Sequence, residues 1–204
     1  MLETRYRAAR ALPLGALSRP AASGPGVSVR PAGAEARFSL RARLAGGAAP
    51  KVAGLVLDAP INTVGTDGTD GESVTTGTWI ARLGPDEWLV GGPEADADLL
   101  QGRIHEGLAG LPHSLVDVSH RNVGIDVSGR QAAAVLNAGC PLDLSEAAFP
   151  AGSATRTLLG KAEIVLIRPT AAPVYRVECW RSFSTYVHGF LNEAVFGVEG
   201  PAAP

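Results

Sequence analysis

The sequence predicts an α+β fold: an antiparallel sheet with helices packed on one face, assembled from ferredoxin-like units. Short stretches of two-residue apolar alternation recur along the chain. A hairpin signal surrounds Gly84-Pro85-Asp86, and two segments with helical spacing, residues 94–111 and 182–194, each follow a pair of strand-like runs. The resulting order is strand pair, helix, strands, helix, strand pair, helix, a repeated unit that lays helices over one face of an antiparallel sheet.

Residues 37–44 (RFSLRARL) open the pattern. Phe38, Leu40, Ala42 and Leu44 point one way and Ser39, Arg41 and Arg43 the other, as in a half-buried strand. A turn over 46–51 leads to VAGLVLD, read as a second strand that Pro60 ends. The Asp-Gly steps of GTDGTDGES, residues 65–73, lack the twelve-position ligand pattern of an EF-hand and predict a plain turn. Trp79, Ile80 and Leu83 before Gly84-Pro85-Asp86, and Trp88, Leu89 and Val90 after it, predict a hairpin.

Leu100, Ile104, Leu108 and Leu111 then mark a helical face, with Asp96 and Asp98 placed to favour its N-terminal dipole. Ser128 is expected to cap a short helix carrying Ala132, Val135 and Leu136, closed by Gly139 and Pro141. Residues 155–168 and 174–180 read as a strand pair across PTAAP. Ser182 is expected to cap a last helix whose stripe is Phe183, Tyr186, Val187, Phe190, Leu191 and Ala194. Trp88 and Trp180 are expected as core residues, with interface anchors as the alternative.

These elements divide the chain into an extended or flexible N-terminal arm (1–36), an α+β region (37–197) that accommodates two subdomains, and a C-terminal tail (198–204). The arm is arginine-rich and acid-poor, as transit peptides are, but lacks the continuous apolar core of a secretory signal. No apolar run reaches the roughly 18 residues needed to span a bilayer. The 204 residues are 46% hydrophobic and 19% charged with a formal net charge of -2, which provides no broad cationic surface for nucleic acid or anionic lipid. Cys140 and Cys179, far apart and without C-x-x-C spacing, are expected as packed, reduced thiols in a cytoplasmic protein.

Residues 116–129, VDVSHRNVGIDVSG, place Ser119 and His120 beside Asp117 and Asp126. In an extended strand Ser119 and His120 point to opposite faces, and no strained G-x-S-x-G elbow is present. The apolar register also slips by one residue between Val116/Val118 and Val123/Ile125/Val127, which calls for a turn or bulge at 120–122. No catalytic residue is therefore assigned. His105, His113 and His188 lack neighbouring ligands, so no metal site is assigned either. Arg156, Lys161, Glu163 and Glu178 are expected in cross-strand ion pairs. Without a G-x-G-x-x-G turn or a Walker loop, no cofactor-binding residue is identified.

Taken in order, LGPDEWLV, VDVSHRNVGIDVSG, AGCPLDL, TRTLLGKAEIVLIR and YRVECWRSFSTYVHGFL resemble the gamma subunit of heterotetrameric sarcosine oxidase, over about residues 12–195. The second segment alone also resembles the folate-binding domain of aminomethyltransferases. The resemblance implies a noncatalytic subunit that packs chiefly on the alpha subunit, with beta and delta subunits in the same complex. It implies that FAD, FMN, NAD, zinc and tetrahydrofolate sit on other subunits, and that none is bound by this chain alone. It further implies that the complex demethylates sarcosine to glycine with hydrogen peroxide, handing the one-carbon unit to tetrahydrofolate. A stand-alone folate-binding or aminomethyl-transfer protein, or a subunit of a related N-methyl amine oxidase, is the alternative.

Overall fold

The computed structural model describes residues 13–14, 26–44, 50–67 and 77–199. Its main sheet contains β1 (Ser28–Pro31), β2 (Glu35–Ala42), β5 (Thr63–Thr66), β6 (Trp79–Gly84), β7 (Glu87–Pro93), β8 (His113–Asp117), β9 (Asn122–Ser128), β10 (Ser153–Leu159), β11 (Ala162–Arg168) and β12 (Val174–Trp180). The strands β3 (Lys51–Val52) and β4 (Leu55–Val56) form a separate small hairpin. Three helices complete the fold: α1 (Ala97–Gly107), α2 (Ala132–Asn137) and α3 (Ser184–Glu199).

The antiparallel order β1-β9-β12-β11-β10-β5-β6-β7-β2-β8 places β8 and β9, neighbours in sequence, near opposite ends of the sheet. A connection of four residues can join them only if the sheet rolls over and brings its ends together. Strand alternation then assigns the two faces. Val123, Ile125 and Val127 of β9, Ile164 and Leu166 of β11, and Tyr175, Val177 and Cys179 of β12 pack outward with Val135, Leu136, Val187 and Leu191 of α2 and α3. On the other half, Phe38, Leu40, Ile80, Trp88 and Val90 pack outward with Leu100 and Ile104 of α1. Val64, Trp79, Ala81, Leu89, Val118, Ala154 and Ile167 fill the interior. All three helices thus cover the outer face of one rolled sheet.

The hairpin around Gly84-Pro85-Asp86 forms as β6 and β7, and residues 94–111 give a 3-10 turn followed by α1. Trp79 lies flat against Gly91 in the paired strand; a Cβ there would come 2.2 Å from the ring. Trp88 is 1% exposed and its indole N–H donates to the Leu57 carbonyl at 2.9 Å. VAGLVLD is not a single strand: Ala53 (φ 50°) and Gly54 (φ 83°) turn it back between β3 and β4. Such a primed turn matches the strand twist.

Both expected caps are different in the structure. Ser128 ends β9, while Gln131 precedes α2 without a side-chain capping bond. The last helix begins with a 3-10 turn over Arg181–Phe183, and the Ser184 hydroxyl donates to the Arg181 carbonyl. That entry rotates the buried stripe to Ser184, Val187, His188, Leu191, Asn192 and Val195, leaving Phe183 and Tyr186 each 39% exposed. Within residues 1–36, Ser28–Pro31 is a strand paired with β9, and α3 runs beyond residue 197 to Glu199. Most of the Asp-Gly repeat lies outside the described residues. At its base Asp67 accepts from the Thr78 amide at 2.6 Å and donates its own amide to the Thr78 carbonyl at 3.0 Å.

Candidate functional site: the closed seam and the open end of the rolled sheet

Where β2 and β8 approach β9 and β12, the interior is charged. Glu35 and Arg37 alternate along β2, and Arg176 and Glu178 along β12, so an E-x-R strand faces an R-x-E strand. Arg176 is fully buried; it donates to Glu35 through two nitrogens at 3.0 Å, to Glu178 at 3.1 Å and to Asp126 of β9 at 2.6 Å. Arg37 grips both oxygens of Glu178 at 2.7 and 3.0 Å and lies 3.2 Å from Glu35. Gly124 makes room for these groups: a Cβ there would come 2.4 Å from Arg176 Nη1 and 2.7 Å from Glu178 Oε1.

Three carboxylates thus share two guanidinium groups, with Glu35 and Glu178 away from water and Asp126 partly open to it. Burial pushes the Glu35 carboxyl above its ordinary range, against the pull of Arg176 and Arg37. Desolvation opposes the charge on both arginines, but the surrounding carboxylates prevail and hold both above their usual value. Breaking such a network costs more than its assembly gains, because each orphaned charge remains desolvated. The cluster therefore works as a latch across the seam.

The turn at 118–121 belongs to the same seam. The Val118 amide donates to the Arg37 carbonyl at 2.8 Å, and the Arg37 amide donates to Ser119 Oγ at 2.9 Å. The Ser119 hydroxyl donates to Asp117 at 2.5 Å, and the same carboxylate accepts the Ser119 amide at 2.8 Å. Its hydroxyl is engaged in fixing the turn, an Asx-type arrangement. The phase slip expected at 120–122 appears as this turn, one residue earlier.

Other expected residues take varied places. Arg156 pairs with Glu87 across the interior and lies 3.9 Å from Glu163, whereas Glu178 pairs with Arg37 and Arg176. His105 and His113 are not solitary: His105 Nδ1 lies 2.9 Å from His113 Nε2, and His113 Nδ1 lies 2.8 Å from the Leu111 carbonyl. His188, expected off the apolar stripe, is 2% exposed, and burial lowers its pKa. Among the described residues no group of three or more His, Cys, Asp or Glu is placed to hold a metal ion. Cys140 and Cys179 are both buried free thiols, and burial pushes Cys179 up to about 12.

Beside the latch, with Glu178 in its wall, the interior opens into a cavity of about 280 Å³. Leu89, Val118 and Val165 contribute apolar walls, and Arg41, Glu87, Arg121, Asn122, Arg156, Glu163 and Trp180 contribute polar and aromatic ones. Trp180 departs from the core expectation at 45% exposure, with the Arg121 guanidinium 5.1 Å above its ring. Sequence reasoning missed both the latch and this end. The complementary E-x-R and R-x-E alternation was a visible signal for the first, but the approach of Arg121 to Trp180 depends on how the sheet rolls.

Among the described residues no helix is long and apolar enough to cross a membrane. Residues 47–196 match the model of the sarcosine oxidase, gamma subunit family. The sarcosine oxidase subunit gamma of an Arthrobacter species is 36% identical over 92 residues, covering 45% of this chain and 44% of that protein. The subunit from Corynebacterium sp. (strain U-96) is 31% identical over 122 residues, covering 59% and 57% respectively. The matches thus span about half the length of these curated relatives.

Among solved structures, the heterotetrameric sarcosine oxidase from Corynebacterium sp. U-96 in complex with pyrrole 2-carboxylate contains a chain similar to this one. Its TM-score is 0.76 at 24% identity, covering 96% of this chain and 99% of that chain. The glycine cleavage system aminomethyltransferase T from Bartonella henselae gives a TM-score of 0.59 at 12% identity, covering 81% of this chain and 45% of that one. At these identities the structural likeness establishes a shared α+β fold, while the family is established by the sequence match: the chain belongs to the sarcosine oxidase gamma subunit family.

Proposed function

We propose that this chain is the noncatalytic gamma subunit of a heterotetrameric sarcosine oxidase, packed chiefly on the alpha subunit in a cytoplasmic complex with beta and delta. The observation that carries this reading is the family match over residues 47–196. The complex oxidises the N-methyl group of sarcosine, yielding glycine and hydrogen peroxide, and passes the one-carbon unit to tetrahydrofolate when it is present. FAD, FMN, NAD, zinc and the folate site reside on the other subunits.

The commitment of this chain's buried charges to its own seam supports a structural role. Arg37, Arg176, Glu35 and Glu178 neutralise one another, and Ser119 is engaged by Asp117. A body locked in this way presents a fixed surface to a partner without reorganising on binding. Co-expression of the four subunits with and without this chain tests the reading. Omitting it is expected to abolish assembly of the oxidase, and supplying it to restore assembly. A three-subunit complex with unchanged sarcosine-dependent peroxide formation would overturn the proposal.

A further inference from the structure

Aromatic side chains are unevenly placed on this molecule. Among the described residues Phe38, Trp79, Trp88, Phe149 and Tyr175 are buried, and every other Trp, Tyr or Phe falls within residues 180–196. Trp180, Phe183, Tyr186 and Phe196 are exposed, and Phe190 is partly buried. The exposed aliphatic side chains Val56, Ile61, Leu99 and Val116 lie on other elements. Single exposed apolar residues are ordinary, whereas neighbouring aromatic ones mark a binding surface.

The Arg121 guanidinium stands 5.1 Å above the Trp180 ring, and the Trp180 and Phe183 rings lie 6.4 Å apart. Further along, the Tyr186 and Phe190 rings lie 6.3 Å apart. Phe183, Tyr186 and Phe190 have the three- and four-residue spacing of one helix face, so the two pairs form a single ridge from the open end of the rolled sheet along α3. Its frame is fixed before any partner arrives. The Arg181 amide donates to the Arg121 carbonyl at 2.7 Å, tying the 118–121 turn to the entry of α3, and the Lys161 amide donates to the Tyr186 hydroxyl at 3.0 Å. Such a ridge loses little side-chain freedom on binding.

Charge specifies the kind of partner. Among the described residues Arg121 has no carboxylate partner, and a guanidinium stacked on a ring keeps its in-plane N–H groups available for one. We infer that another subunit of the oxidase docks on this ridge, seating Trp180 and Phe183 in an apolar recess and pairing a carboxylate with Arg121. The inference rests on the reading of the chain as a gamma subunit, whose family supplies the partner. Tryptophan and arginine at the centre of an interface carry much of its energy.

Competition within the assembling complex tests it. The wild-type chain and one variant are co-expressed in equal amounts with the other three subunits, the oxidase is purified through a tag on one of those three, and the ratio of the two chains is read by mass spectrometry. Trp180→Ser and Arg121→Glu are each expected at about a tenth of the wild type or less, the loss that a central interface residue produces. Leu99→Ser, an exposed change on α1, should match the wild type. All three full-length variants should melt like the wild type by circular dichroism. If Trp180→Ser melts lower, Arg121→Glu, on an exposed turn, carries the test.

Equal incorporation of a folded Arg121→Glu chain, or equal exclusion of Leu99→Ser, would overturn the ridge and leave the subunit reading intact. Absence of the wild-type chain itself from the oxidase would overturn that reading and the ridge with it. A dimer of the chain alone that Trp180→Ser dissociates would assign the ridge to a second copy and so overturn the inference.

Discussion

Arg176→Met removes the centre of the latch while preserving most of the side-chain volume. Arg176 donates to Asp126 at 2.6 Å, to both oxygens of Glu35 at 3.0 Å and to Glu178 at 3.1 Å, and it is fully buried. The variant leaves Glu35 and Glu178 facing Arg37 alone and takes from Asp126 its guanidinium partner. Breaking a buried ion pair costs about 3–5 kcal/mol, chiefly through the charge left without a partner. For a chain of this length each kcal/mol lowers the melting temperature by about 2–4 °C, so a fall of roughly 6–20 °C is expected. Scanning calorimetry or circular dichroism would measure it.

The pH dependence supplies a second readout of the same change. Glu35 already holds its proton more tightly in the folded chain than its ordinary value of 4.5, and loss of Arg176 increases that preference. Where the folded state binds more protons than the unfolded one, stability falls as pH rises. The deficit of Arg176→Met should therefore be larger at neutral pH and shrink as the pH falls toward the ordinary carboxylate value of 4.5. A fall smaller than about 2 °C, or a deficit that does not shrink on acidification, would refute the latch as the element that closes the seam.

Gly91→Ala would place a Cβ 2.2 Å from the buried Trp79 ring, and the resulting overpacking is expected to cost about 1–3 kcal/mol. An unchanged denaturation midpoint would show that the ring can move aside. Phe190 packs against the outer core and over Gly139, so Phe190→Asp should lower stability by about 3 kcal/mol or more, read by urea denaturation. Full stability would mean that this part of α3 is not held by packing. His188 has a pKa below 6.5, so the unfolded chain takes up its proton first on acidification and the folded state loses stability from about pH 6.5 downward. His188→Gln should flatten that slope, and an identical slope in the two proteins would contradict the assignment to His188.

Much of the fold was legible because local chemistry and burial agreed. The β6–β7 hairpin follows from apolar runs on either side of Gly84-Pro85-Asp86, and α1 from Leu100 and Ile104 at helical spacing. The slip of phase after Val118 located a turn, although alternation alone could not reveal that it joins two distant ends of the sheet. The helix caps failed because Ser128 and Ser182 sit in acceptable sequence contexts, yet a strand end and a 3-10 turn occupy those places. The Ala53–Gly54 reversal was hidden because alanine seldom adopts a positive φ.

The candidate sites were less legible, since pairs such as Arg37–Glu178 and Glu35–Arg176 each span 141 residues of sequence. Their strands carry complementary patterns, but only the strand order says which pattern meets which. Trp180 shows the same limit. The usual burial of tryptophan makes it look like a core residue, yet β12 delivers it to the open end beside Arg121, where it remains 45% exposed.

Native mass spectrometry of the four co-expressed subunits tests the assignment to a gamma subunit most directly. A single assembly containing this chain and one copy of each of the other three is expected, and it should oxidise sarcosine. An active oxidase composed of the other three subunits, with this chain observed only as a free species, would contradict it.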